Sequence, residues 1–99
     1  MNLSALQKFI LRESYGQKTN LARNRFDKFY STQKTLPAKE EQIKTISRSI
    51  DRLINKGLLA GYGERTQYKW FINETRLTNE GKKLAKKLLG EQKQLPFKT

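Results

Sequence analysis

Five side chains near the middle of the chain, Lys44, Thr45, Arg48, Ser49 and Arg52, carry cations or hydroxyls at spacings of one, three and four residues. On a helix turning about 100° per residue, those spacings gather them on one polar arc. Arginine has a defined chemistry in such a place: its planar fork gives two hydrogen bonds to guanine O6 and N7, worth about 1 to 3 kcal/mol of base discrimination, or grips a phosphate. Arg48, near the middle of the arc, is assigned to a base edge, and Arg52, one turn later, to a phosphate. Thr45 and Ser49 are short enough to meet base edges at close approach, and Lys44 suits either target. Glu41 is an acid on the same arc. The plainer alternative is a solvated face on which Glu40 pairs with Lys44 across i to i+4.

Two other groups point to the same chemistry. Arg65, Thr66 and Gln67 lie between two short aromatic-rich runs, with Lys69 behind them, where they can enter a minor groove or follow its phosphates. Arg23, Arg25 and Lys28 open an earlier helical stretch, and the positive end of a helix dipole there would help them clamp a phosphate backbone. Tyr68 and Trp70 can stack on unpaired bases, although a strand residue beside a long helix more often belongs to a core.

The composition excludes most other chemistry. With no Cys and no His, the chain has no disulfide, thiol nucleophile, imidazole base or zinc-finger ligand set. Glu40 and Glu41 are adjacent, so on a helix they diverge by about 100° and form no facing carboxylate pair. Gly61-x-Gly63 is not followed by a helix and is no phosphate loop. We therefore read the chain as a non-enzyme without cofactor, metal or small-molecule substrate. Its formal charge of +12 makes a polyanion the expected partner. That charge is spread as +5 over residues 1–38, +1 over 39–64 and +6 over 65–99, so it is not a tail effect.

Elements must hold these groups in place. Ninety-nine residues, 35% of them apolar, suffice for one small domain, expected over residues 1–90, with a basic flexible tail over 91–99. A first helix is read from Ser4 to Tyr15, with Ser4 and Gln7 at capping-box spacing. Its stripe is Leu3, Leu6 and Ile10; Leu11 points well away and serves either an oligomer contact or packing beneath a neighbouring helix. A second helix runs from about Ala22 to Ser31, with Phe26, Phe29 and Tyr30 inward, and a connection containing Pro37 follows. The third, from about Ala38 to Lys56, buries Ile43, Ile46, Ile50, Leu53 and Ile54 and stops at Gly57. Leu58 to Tyr62 and Tyr68 to Ile72 read as a β-hairpin. A fourth helix starts with Thr78 as N-cap, sets Leu84, Ala85, Leu88 and Leu89 against the Lys82, Lys83, Lys86 and Lys87 side, and closes at Gly90.

That order of elements, and two short motifs within it, resemble a known family. Leu53-Ile54-Asn55-Lys56-Gly57-Leu58 has the form L-x-x-x-G-L that ends a recognition helix, and Leu77-Thr78-Asn79-Glu80-Gly81 the form L-T-x-x-G that opens the next. Both resemble the winged helix-turn-helix domains of MarR-like and PadR-like transcriptional regulators, over about residues 4 to 90. The resemblance implies an α+β, mainly α fold: a three-helix core, a two-stranded β-hairpin wing and a C-terminal helix. It implies sequence-specific binding of double-stranded DNA, with the third helix in the major groove and the wing in the minor groove or on the backbone. A non-specific nucleoid or protein-interaction module of the same fold is the alternative, and an RNA-binding protein a further one. A homodimer through the first helix at Leu11, or the fourth at Leu89, would span two half-sites. No apolar run approaches the ~18 residues of a membrane span, and the N-terminus lacks signal-peptide order, so a cytoplasmic, nucleoid-associated location is expected.

Overall fold

The computed structural model describes residues 2–31, 33–68 and 70–94 of the chain. Helix α1, Ala5–Ser14, begins as its sequence dictates: the Gln7 N–H donates to Ser4 Oγ at 3.1 Å, and the Ser4 N–H donates back to Gln7 Oε1 at 2.9 Å. Leu6, Ile10 and Leu11 are all buried. Leu11 therefore packs inside the molecule and is no oligomer contact. α1 is enclosed by neighbours on several sides, so an apolar residue outside its main stripe still meets protein.

Strand β1, Leu21–Ala22, has no counterpart in the sequence reading. Two residues cannot display an alternation, and the preceding stretch is polar. The helix expected over residues 22–31 is a 3-10 turn, Arg23–Asp27, followed by a four-residue helix α2, Lys28–Ser31. Its aromatics are core, as read: Phe26 and Tyr30 are buried, and Phe29 packs against Phe9 and edge-on against Tyr30, with ring centroids 5.6 and 5.2 Å apart.

Helix α3, Lys39–Asn55, buries Ile46, Ile50 and Leu53. Its N-cap, Ala38, offers no side-chain acceptor, so Glu40 and Glu41 in the first turn supply the negative charge that end of the dipole favours. That accounts for an acid on an otherwise cationic arc. The far end closes with paired hydrogen bonds, Gly57 N–H to Ile54 O and Leu58 N–H to Leu53 O, both 2.9 Å, with Gly57 at φ +78°. Only glycine takes that backbone conformation without strain.

β2, Leu59–Arg65, and β3, Trp70–Leu77, form the hairpin, longer than its aromatic runs suggested. With β1 they make a three-stranded antiparallel sheet in the order β1-β3-β2. Tyr62 faces Glu74 and Gly63 faces Ile72, which leaves Asn73 as an extra residue in β3. This bulge switches the alternation, so Ile72, Thr75 and Leu77 all point inward while Glu74 points out.

Helix α4, Asn79–Gln94, runs through Gly90, which does not close it. Residues 91–94 of the expected tail are thus helical, and 95–99 lie outside the described residues. The two motifs interlock where α4 begins. The Thr78 N–H donates to Leu58 O at 3.1 Å, the Thr78 hydroxyl donates to Gly57 O at 2.6 Å, and the Gly81 N–H donates to that hydroxyl oxygen at 3.0 Å. The start of α4 is therefore hydrogen-bonded to the end of α3, and a β-carbon on Gly81 would lie 2.0 Å from Leu58 O. The fold is α+β and mostly helical, and among the described residues no helix is long and apolar enough to cross a membrane.

Candidate nucleic-acid interface

The outward face of α3 presents Lys44, Arg48, Arg52 and Asn55, all exposed, together with Glu40, Glu41 and Asp51. Lys44 lies 3.9 Å from Glu41, not Glu40, and both side chains are more than half exposed. A pair so hydrated is worth well under about 1 kcal/mol and leaves the ammonium available. Among the described residues, Arg48 and Arg52 take part in no ion pair. The face thus offers two hydrated guanidiniums one turn apart.

One residue expected on that face is not on it. Ser49 is 7% exposed and belongs to the inner arc with Ile46, Ile50 and Leu53, so it reaches no external ligand. It stands three residues from Ile46, which places it nearer the apolar arc than the polar one. Thr45 is half-buried at the margin. Conversely Ile43, expected in the core, is 47% exposed. Its position, about 60° from Ile46, lies within the apolar arc, so helical spacing alone does not signal this exposure.

Arg23 is committed inward. Its Nη2 donates to Ile43 O at 3.3 Å and to Ser47 Oγ at 3.0 Å, tying the 3-10 turn to α3. It is a positioning residue, not a free phosphate clamp. Arg23→Ala should lower the unfolding free energy by about 1 kcal/mol, because charged hydrogen bonds of this kind are strong but here partly hydrated; thermal unfolding measures it. Arg25 and Lys28 turn toward α1, each 3.8 Å from a Glu13 carboxylate oxygen. A 3-10 turn leading into a four-residue helix supplies little of the dipole expected to assist them.

At the hairpin end, Arg65 stacks on the Trp70 ring, 4.2 Å from its centroid, and the Tyr68 N–H donates to Thr66 Oγ1 at 3.2 Å. Arg65 occupies one face of the Trp70 ring, while Tyr68 is 88% exposed. Lys69 lies outside the described residues. Trp70 also lines a groove of about 250 Å³ between α3 and β3, shared with Arg23, Ile43, Ser47, Asp51 and Phe71. The α3 flank and β3 thus border one depression, and Arg65 stacks on the Trp70 ring that forms part of its wall. Phe71 and Ile43 on its walls are both exposed, Ile43 against the expectation of burial. In comparisons with known proteins, no family model matches this chain and no curated protein matches it.

Proposed function

We propose that this chain is a small transcription regulator of the winged helix-turn-helix type, which binds double-stranded DNA with α3 in the major groove and the β2–β3 hairpin on the minor groove or the backbone beside it. The observation that carries the reading is the pair of unpaired, outward guanidiniums, Arg48 and Arg52, on a helix bordered by a hairpin that ends in Arg65. A helix fits the width of the major groove, and a formal charge of +12 supplies the electrostatic attraction. The order α1, β1, a 3-10 turn with the short α2, the long α3, the β2–β3 hairpin and α4 is compatible with that fold. Arg48 reads a base; Arg52, Lys44 and Arg65 hold phosphates. A two-fold dimer, if formed, uses α4 near half-buried Leu89, since Leu11 is internal.

Fluorescence anisotropy on a duplex selected from a random pool, and on a scrambled duplex, tests this. Arg48→Ala should cost about 2 kcal/mol, roughly thirtyfold, on the selected duplex and little on the scrambled one, while Arg65→Ala weakens both alike. Equal losses on both duplexes after Arg48→Ala would defeat the assignment. Displacement of the duplex by folded RNA at equal nucleotide concentration would favour RNA as the partner. The exposed Ile43 and Phe71 support one second reading, a protein-interaction module of the same fold; a chain that ignores both duplexes would leave that reading.

A further inference from the structure

The sheet has a long edge without a neighbour. β1 and β2 flank β3, and among the described residues no further strand lies beyond β2. Proteins guard such edges with lysine, proline, a bulge or a short strand. β2 runs for seven residues, Leu59–Arg65, and contains neither lysine nor proline, while the bulge sits in β3. Its charges, Glu64 and Arg65, stand together at one end.

The hairpin fixes the backbone phase of that edge. The Thr78 N–H donates to Leu58 O, so these two residues are a hydrogen-bonded pair; by the alternation of an antiparallel ladder, so are Ala60 with Arg76 and Tyr62 with Glu74. The N–H and C=O groups of Leu59, Gly61, Gly63 and Arg65 therefore point away from β3, into the open edge. Side chains alternate as well. The Cβ direction of Gly61 points at Ile54 and Ile72, which puts Ala60, Tyr62 and Glu64 on the outer face of the sheet, where Tyr62 is 43% exposed.

We infer that β2 pairs antiparallel with β2 of a second copy of this chain, about a two-fold axis at Tyr62. The register centred there uses the whole strand, roughly 24 Å. Gly61 exchanges both backbone bonds with Gly63 of the second copy, and Leu59 with Arg65, through groups that already point outward. The two Tyr62 residues form the close, non-hydrogen-bonded pair on the axis, and their exposed rings cover one another. Glu64 comes opposite Ala60 of the second copy. One strand beyond that small side chain, on the same face, stands Arg76, the cross-strand partner of Ala60. Two strand spacings are roughly 10 Å, within the combined reach of a glutamate and an arginine. Neither Glu64 nor Arg76 makes an ion pair among the described residues, and the two-fold forms the contact twice. A strand edge is small against the roughly 1,200 Å² of a stable interface, and each copy carries +12, so the dimer is weak and is favoured by salt that screens the repulsion. The pairing is distinct from any contact through α4 and does not depend on duplex binding.

Sedimentation equilibrium of the 99-residue chain at up to about 1 mM, in about 0.3 M salt, should show a sub-millimolar dimer. In a mixture of ¹³C,¹⁵N-labelled and unlabelled chain, a filtered NOE between the Ala60 and Glu64 Hα protons is expected. Within one strand these residues lie roughly 14 Å apart, so only pairing between copies brings them together. Tyr62→Lys, which sets two cations on the axis, should abolish association. Glu64→Lys should weaken it about tenfold or more, with most of that loss recovered in the double variant Glu64→Lys/Arg76→Glu. All three side chains are exposed, so the variants should melt close to the parent temperature. A monomer at the highest concentration, a dimer that lacks the Ala60–Glu64 NOE, as an α4 contact would give, or a Glu64→Lys chain that associates as tightly as the parent would each overturn the inference.

Discussion

Alanine at position 81 should remove about 3 kcal/mol or more of folding free energy, a large share of the roughly 5 to 15 kcal/mol that a domain possesses. The added β-carbon would sit 2.0 Å from the Leu58 carbonyl oxygen and 3.0 Å from its carbon. That carbonyl cannot swing aside, because it accepts the Thr78 N–H and belongs to the residue whose own N–H closes α3 on Leu53. Relief requires α4 to lift from the α3–β2 junction, which breaks the Thr78 hydroxyl bond to Gly57 O and opens the contacts of Ala85 and Leu77. Two controls separate crowding from loss of glycine as such. Gly57→Ala meets no atom within 4 Å and should cost only the left-handed strain of its φ of +78°, about 1 to 2 kcal/mol. Gly90→Ala, inside α4 in open space, should stabilise by about 0.5 to 1 kcal/mol. Urea unfolding of the three variants gives the order directly; a Gly81→Ala chain with the parent midpoint would contradict the interlock.

That interlock also shows why some of this fold could be read in the sequence. Gly57, Thr78 and Gly81 are each demanded by one local geometry, so their types and spacing carry information before any packing is known. The same is true of Ser4 with Gln7, whose reciprocal bonds formed as their spacing implied. Features decided by distant contacts were not legible. β1 exists because Leu21 and Ala22 pair with Thr75 and Glu74, more than fifty residues away. Leu11 is interior because other elements surround α1, and helical angle alone pointed it outward. The bulge at Asn73 follows from register, which no alternation in β3 announced.

In the candidate site the division is similar. Exposure of Arg48 and Arg52 followed from a strong 3.6-residue pattern in a long helix. Ser49, at the margin of that pattern, lies inside because a few tens of degrees decide which side of the boundary a residue takes, whereas Ile43 is exposed from within the apolar arc, which helical spacing does not announce. Arg23 looked like Arg25 and Lys28 in sequence. Only the approach of the 3-10 turn to α3 distinguishes the cation held by Ile43 O and Ser47 Oγ from the two that turn toward Glu13.

Raising salt from about 50 to 200 mM should weaken duplex binding roughly a thousandfold, on the proposed DNA-binding reading with about six phosphates engaged. Each neutralised phosphate releases close to 0.9 of a condensed counterion, so the plot of log affinity against log salt should have a slope near −5. The slope also sorts the cations. Arg52→Gln and Arg65→Gln should each make it shallower by about one, because each residue is assigned to a phosphate. Arg48→Ala should lower affinity for the selected duplex with little change in slope, since a base contact displaces no counterion. Arg23→Gln should leave the slope alone, its charge being engaged with α3, and act instead through stability. Lys44 provides an internal check: its pairing with Glu41 is so exposed that Glu41→Gln should strengthen binding severalfold by removing an acid from the contact face. A parent slope shallower than about −2 would mean that barely two phosphates are met, too few for a helix and a hairpin to bind together, and would shift the weight to a protein partner at the Ile43–Phe71 groove.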